Sequence, residues 1–299
     1  MILRTSKNLK DLNLYHYTCN QLIFEYLYEN TTVTSLYFDF YKHSDDFKHK
    51  AADELAKILY MNSTLTSLNI YSIQLVTKGI KALFEALYKN NVLNSLCLCT
   101  NQIDAELGKM LVKFLCKNNT LTIFELVWSQ LELDTIKALA DVLCKNTSLK
   151  HLTLRGNNLG SQGGKALADV LCKNSTLTSL RLPQNNLGSE GGKLLADALC
   201  KNNTLTTLDL SDNNFGSEGG KALVDALYKN TTLTYLDIRD NDLGSEVKNA
   251  LYDAFPWCKY EDYDYYDYDD YECSFEYDYT YIYDYTYTYD DYTYTYSYN

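Results

Sequence analysis

The stretch from Thr204 to Leu227, TLTTLDLSDNNFGSEGGKALVDAL, decides the fold. Leu205, Leu208 and Leu210 stand in an L-x-x-L-x-L frame, and Asn213 and Phe215 follow. Leu208 and Leu210 alternate as a strand requires, so they face one side while Thr207, Asp209 and Ser211 face the other. Asn213 comes where the chain turns away from the strand, where an amide satisfies backbone groups that burial would leave unpaired. Gly216 suits a turn with positive φ, and Ser217 reads as a helix N-cap. The helix is amphipathic: in the preceding copy, Leu195, Ala198 and Leu199 make an i, i+3, i+4 stripe that must face the strands.

The same frame begins at Leu93, Leu121, Leu149, Leu177, Leu205 and Leu233, at an unbroken interval of 28. Looser copies begin at Leu65, Val33 and Leu9, which makes about nine units. Self-similarity of this regularity is the signature of a solenoid, because no single unit can bury both its strand and its helix. The predicted organisation is an α/β repeat solenoid over residues 1–258 and a low-complexity tail over 259–299. Residues 1–30 form a degenerate first unit, and a last helix over Glu246 to Trp257 brings Phe255 and Trp257 over the end of the core. The interval from Val33 to Leu65 is 32, and the extra residues, flanked by His43 and His49, read as a looser loop. The paired glycines Gly163 and Gly164, Gly191 and Gly192, Gly219 and Gly220 read as close packing between coils. Lys193 with Asp197, Lys165 with Asp169 and Lys221 with Asp225 sit four apart on a solvated helix face.

Charge separates the two parts. Residues 259–299 hold twelve acids and one base, whereas residues 1–258 hold 27 acids and 26 bases. A near-neutral body lacks the clustered Lys and Arg that phosphates demand, so nucleic acid is not an expected partner. No apolar run approaches the ~18 to 20 residues of a membrane span and no signal-peptide pattern opens the chain, so an intracellular, cytoplasmic protein with no membrane partner is expected. Cys116, Cys144, Cys172 and Cys200 are 28 apart, the period of the fold, and the column is filled by Tyr60, Tyr88 and Tyr228 elsewhere. These read as buried small side chains, and the cysteines as free, reduced thiols. The tail carries 17 of the 29 tyrosines, alternating with Asp and Thr. With few aliphatic residues it reads as disordered, with phosphorylation at acid-flanked tyrosines such as Tyr268 and Tyr271 as a functional reading. The expected state is a monomer, with tyrosine ladders in the tail a route to self-association.

The run LxxLxLxxNNLGSEGGKALADALCKN resembles the ribonuclease-inhibitor-like class of leucine-rich repeats, over most of residues 9–254. The resemblance implies a horseshoe with parallel strands on its concave side and helices outside. The class includes ribonuclease inhibitor, the sensor regions of NOD-like receptors and the GTPase-activating protein of Ran. A strongly acidic body marks ribonuclease inhibitor and is missing here. An acidic tail is shared with the Ran activator, so GTPase activation of that type is the alternative to a binding scaffold.

No catalytic set emerges. His16, His43, His49 and His151 lack a second ligand at metal spacing, and Cys97 with Cys99 lack a second pair, so neither a metal nor a cofactor is expected. Asn157, Asn185, Asn213 and Asn241 read as framework. Outward strand positions are free of packing duty, and on the concave face they offer Tyr71, Glu125, Val127, Trp128, His151, Arg155, Arg181, Asp209, Tyr235, Asp237 and Arg239. Aromatics and arginines dominate binding hot spots. The expected function is therefore non-catalytic binding of a protein partner on this face.

Overall fold

In the computed structural model, residues 9–15, 21–73 and 78–260 are described, with side chains from residue 81 onward in the third segment. The expectations for the tail beyond residue 260, for His16 and for residues 1–8 lie outside the described residues. The strands are β1 (Asp11–Leu14), β2 (Ser35–Asp39), β3 (Ser67–Tyr71), β4 (Ser95–Cys99), β5 (Ile123–Val127), β6 (His151–Thr153), β7 (Ser179–Arg181), β8 (Thr207–Asp209), β9 (Tyr235–Asp237) and β10 (Cys258–Lys259). Between them run α1 (Gln21–Tyr28), α2 (Asp45–Met61), α3 (Lys78–Lys89), α4 (Ala105–Lys117), α5 (Leu133–Leu143), α6 (Gly160–Lys173), α7 (Gly188–Leu199), α8 (Gly216–Leu227) and α9 (Gly244–Ala254). The strands pair in chain order as one ten-stranded parallel sheet. The ladder runs to Lys259, which pairs with Asp237, one residue past the expected boundary.

The leucine frame builds the core as read. Leu205, Leu208 and Leu210 are buried, and so are Leu195, Ala198 and Leu199 on the helix stripe, all within one continuous cluster. Neighbouring strands sit roughly 4.8 Å apart while packed helices need about 8–10 Å, so stacked units bend toward the strand side. That side is the inner face. The glycine pairs lie where helices meet: a Cβ on Gly164 would stand 3.2 Å from Gly191 Cα, and one on Gly192 would stand 2.9 Å from the Phe215 ring. Phe255 packs partly buried against the core and edge-on to Trp257, 6.0 Å between centroids, whereas Trp257 itself stays exposed and the last helix ends at Ala254, short of both.

Two columns of asparagine stitch the coils. In the expected one, Asn213 Nδ2 donates to Leu182 O (2.8 Å), Leu210 O (3.0 Å) and Ser211 O (3.0 Å), while its Oδ1 accepts the Asn185 N–H at 3.1 Å. Asn241 accepts from Asn213, Asn185 from Asn157, and Asn157 from Ser129. Ser129 stands in for asparagine by donating its hydroxyl to Leu98 O and Val127 O. The second column follows the helices. Asn174 Nδ2 donates to Leu143 O at 2.7 Å and its Oδ1 accepts from Thr176 N and Leu177 N. Asn62, Asn90, Asn202 and Asn230 repeat the pattern.

Five expectations are corrected. Ser161, Ser189, Ser217 and Ser245 do not cap: the helices begin one residue earlier, at Gly160, Gly188, Gly216 and Gly244, with no side-chain cap bond. In the first three the leading N–H finds a backbone acceptor in the next coil instead, as in Gly188 N to Asn213 O at 2.9 Å, so no side-chain cap is needed there. The cysteine column is not buried. Cys116, Cys172 and Cys200 are exposed and Cys144 half-buried, because each follows the last stripe leucine or, for Cys116, Leu115, and one step of about 100° turns it off the buried face. These thiols are free as expected, but Cys99 is disulfide-bonded. Lys193 and Lys221 reach Glu218 and Glu246 on the next coil, each at 3.4 Å, rather than the acids four residues on. The extra residues of the 32-residue unit lengthen α2 to 17 residues behind an N-cap at Ser44, with His43 stacked on Phe47 at 4.5 Å, so they form a helix and an aromatic cluster, not a loose loop.

Candidate functional site: the inner strand face

Outward side chains on parallel strands in register form rows across the sheet. The first row runs Ser67, Ser95, Ile123, His151, Ser179, Thr207, Tyr235. The middle row runs Asn69, Cys97, Glu125, Thr153, Arg181, Asp209, Asp237 and Lys259. Tyr71, Cys99 and Val127 begin the third, which Arg155 and Arg239 continue at the 28-residue spacing. Each framework leucine faces the other way.

The structure divides the candidate residues into two groups. His151, Arg181, Asp209, Tyr235, Asp237 and Arg239 lie together on β6 to β9 and the turn after it. Arg239 Nε donates to both oxygens of Asp237 (2.9 and 3.1 Å), and the Tyr235 hydroxyl donates to Asp237 Oδ2 at 3.5 Å. Asp237 is fully buried under these contacts, so it orients its neighbours and offers no surface of its own. Lys259 Nζ lies 5.3 Å over the Tyr235 ring, within cation–π range. Asp209 accepts from Ser211 N (3.1 Å) and Ser211 Oγ (2.8 Å), and burial together with the charge of Asp237 pushes its carboxyl up. Arg181 sits amid the group: its charge opposes that upward push on Asp209 and, after burial, adds to the depression of His151. Arg155 lies in the third row, where Nε donates to Gln184 Oε1 at 2.9 Å.

Tyr71, Glu125, Val127 and Trp128 form the other group, on β3 to β5. Val127 is buried and Tyr71 half-buried. Trp128 follows β5 at φ +52°, 41% exposed, with its ring against the Gly156 backbone where any Cβ would collide. Tryptophan therefore depends on a glycine in the next coil. Tyr71 and Tyr235 stand six strands apart, about 29 Å, so the two groups belong to opposite parts of the face.

The sequence reading missed Thr153, Gln184 and Lys259. Thr153 and Gln184 look like ordinary surface residues until register sets Thr153 beside Glu125 and the turn brings Gln184 to Arg155. Lys259 was assigned to the tail because a two-residue strand carries no periodic signal. Among the described residues no cluster of three His, Cys, Asp or Glu side chains is placed to hold a metal ion, and no helix is long and apolar enough to cross a membrane.

The family model described as Leucine Rich repeat matches residues 145–168, 173–196, 201–224 and 229–246, in phase with the strands and helices above. This is a leucine-rich-repeat protein. Among solved structures, the leucine-rich-repeat protein resembles the leucine-rich repeat-containing protein LegL7 from Legionella pneumophila, at 26% identity and a TM-score of 0.54, over 81% of this chain and 76% of that one. It also matches actin-binding site 2 of leiomodin-1 (22% identity, TM-score 0.42, 48% and 83% covered). A third match is the C-terminal domain of tropomodulin from Caenorhabditis elegans (15%, 0.38, 50% and 92%). No curated protein matches the sequence.

Proposed function

We propose that this leucine-rich-repeat protein is a non-catalytic interaction scaffold that holds a partner protein against its inner face over β6 to β9. The observation that carries the reading is the group formed there by His151, Arg181, Asp209 and Tyr235. These side chains are partly exposed, belong to neighbouring strands, and have no part in the leucine core. With about three outward positions per strand, β6 to β9 supply about twelve residues, and the whole inner face supplies the roughly 20–30 that a standard interface uses on each side. The GTPase-activator alternative gains nothing from the framework asparagines. Asn157, Asn185 and Asn213 are tied at both ends of the amide, and no acceleration of GTP hydrolysis by Ran is expected.

Replacing Arg155, Arg181 and Tyr235 together by Ala should weaken the best partner from an affinity capture by about 30-fold or more, since hot-spot truncations cost ~2 kcal/mol each. Replacing Lys165, Lys193 and Lys221 on the helices should leave affinity within about twofold, as exposed charges far from an interface do. Loss of the partner in the helix triple and its retention in the strand triple would place the binding surface on the wrong side of the molecule.

A further inference from the structure

The turns that leave β5 to β8 form one rim of the sheet and carry two rows of left-handed backbone. In the row next to the strands, Trp128 stands at φ +52° where the neighbouring coils have Thr100, Gly156, Gln184 and Asp212. Those residues are small or polar, and a bulky aromatic is out of place at positive φ. The Trp128 ring lies on the Gly156 backbone, in space that any Cβ there would fill, yet 41% of the residue stays exposed and none of it joins the leucine core. Two adjacent coils thus depart from the repeat together. What they make is an open aromatic shelf.

The second row, two residues further on, is Gln130, Asn158, Asn186, Asn214 and Asp242, all at positive φ. Asn186 Nδ2 donates to Asn158 Oδ1 at 2.9 Å and Asn214 Nδ2 to Asn186 Oδ1 at 3.0 Å, and the three side chains are exposed. A primary amide has two N–H groups and two lone pairs, so after these bonds Asn186 keeps one of each. The ladder holds the amides in one orientation along the rim, and little order is left to impose on binding. Left-handed backbone accounts for asparagine in this row. It does not account for a tryptophan beside it.

A file of amides, each with a donor and an acceptor to spare, matches an extended main chain. In such a chain the N–H and C=O of every second residue face the same side, roughly 6.6 Å apart. Successive rim amides stand between the ~4.8 Å spacing of strands and the ~8–10 Å spacing of helices, so one amide meets every second residue. Gly156 and Asn158 share a turn, which puts the shelf beside the first amide of the ladder. From Trp128 to Asn186 neither row holds a charge, so the matching segment is neutral. At Asp242 the row loses its N–H groups, and main-chain pairing ends.

We infer that this rim takes an extended, uncharged peptide segment of a partner protein, its main chain paired with Asn158, Asn186 and Asn214 and one apolar side chain laid on Trp128. Main-chain bonds supply the hold, and the tryptophan supplies the choice of side chain. The inference rests on the scaffold reading for there being a protein partner, and not on that partner's place over β6 to β9.

The test uses the full chain and a capped heptapeptide of alternating threonine and serine with leucine at both ends. NMR follows the Trp128 indole N–H and the side-chain amides of Asn158 and Asn186, and all should show saturable shifts. Two further peptides are N-methylated at alternate residues, one in each phase. One phase should bind about tenfold more weakly or worse, because its donors toward the rim are gone, and the other should stay within about twofold. Trp128→Asn suits the left-handed backbone, so it should weaken the peptide about tenfold while the midpoint of thermal unfolding holds or rises. A tryptophan that only fills space would give the reverse, a lower midpoint and an unchanged peptide affinity. Asn186→Asp keeps the acceptor for Asn214, loses both N–H groups and should also weaken the peptide. Should either variant lose the native circular dichroism, the methylated pair on the wild type still decides. No response in the wild type, equal affinity for the two methylated phases, or a response to cellotetraose in place of the peptide overturns the assignment. The Arg155, Arg181, Tyr235 triple variant separates the two proposals. Loss of the partner with the peptide response retained supports both. Loss of the partner where the wild type never answers the peptide sinks only this one, and a peptide response with the partner still bound sinks only its placement over β6 to β9.

Discussion

The run from Ser129 to Asn241 and the run from Leu9 to Ile103 share one fold and join their coils differently. In the first, every coil meets the next through a buried amide that accepts from one backbone and donates to another, and through glycines that bring helices nearly into backbone contact. In the second, Ile73 stands where the asparagine column would continue, and Asn101 keeps a buried Oδ1 without a partner. Asn62 and Asn90 still stitch the helix ends there, but along the strand side aromatic packing takes over: Phe24 stacks on Phe38 at 5.7 Å, Phe38 on Phe40 at 5.6 Å, and His43 on Phe47 at 4.5 Å. A hydrogen-bonded seam fixes the spacing of every residue on both sides of it. An apolar seam fixes volume, and it accommodates the 32-residue unit. The family model finds its matches only within residues 145–246, inside the hydrogen-bonded run.

Deleting core volume should hurt most, whichever seam is involved. Leu180 is wholly buried, and Leu180→Ala should cost about 2–5 kcal/mol in a denaturant titration, the range for a buried leucine. A loss under about 1 kcal/mol would mean that this leucine column does not face inward.

The seams themselves separate at the next level. Asn213→Ala removes three donated bonds and two accepted bonds in a dry site, and should cost about 2–4 kcal/mol. Asn101→Ala removes two donated bonds, to Ile70 O and Cys99 O, and a carbonyl already unpaired, and should cost about half as much. Equal losses would erase the distinction drawn between the two runs. Gly192→Ala gains helix propensity of about 1 kcal/mol but sets a Cβ 2.9 Å from the buried Phe215 ring, so the net effect should be a loss of roughly 1 kcal/mol. A gain would show that the helices there have slack.

The leucine frame, the asparagines at Asn157 to Asn241 and the positive-φ glycines were legible because each recurs at a fixed offset from a strand that announces itself by alternation. The second asparagine column recurs just as faithfully and was passed over, since a polar residue after a helix has many ordinary explanations and its acceptors lie on another coil. The candidate site was legible only as a set of outward positions. Which of them touch depends on register, and register placed Arg155 one row away from Arg181 and buried Asp237 beneath Arg239.

The smallest predicted effect is electrostatic. Arg181 opposes the upward push on Asp209 and Glu125 and adds to the depression of His151, so Arg181→Ala should raise all three pKa values in NMR titrations of the folded protein. The sign is the same for the three because a lost positive charge makes every neighbouring group easier to protonate. Burial disfavours the ionised carboxylates, so their cost to stability accrues as pH rises through the carboxylate range, and Arg181→Ala should steepen it. An unmoved His151 would detach β6 from this group.

The amide seam also has a consequence for how such a chain can grow. Each asparagine offers its neighbours the same bonds on both sides, so a tandem copy of residues 174–201 creates a new coil whose donors and acceptors are all met by the old ones. Duplication in steps of 28 lengthens the molecule without an ill-fitting joint anywhere along the run. A single inserted residue does the opposite, because it moves an asparagine off its column and leaves two coils unstitched. Change in length is therefore quantised in this half of the molecule, and the inner face can be extended one strand at a time while the joints stay as they were.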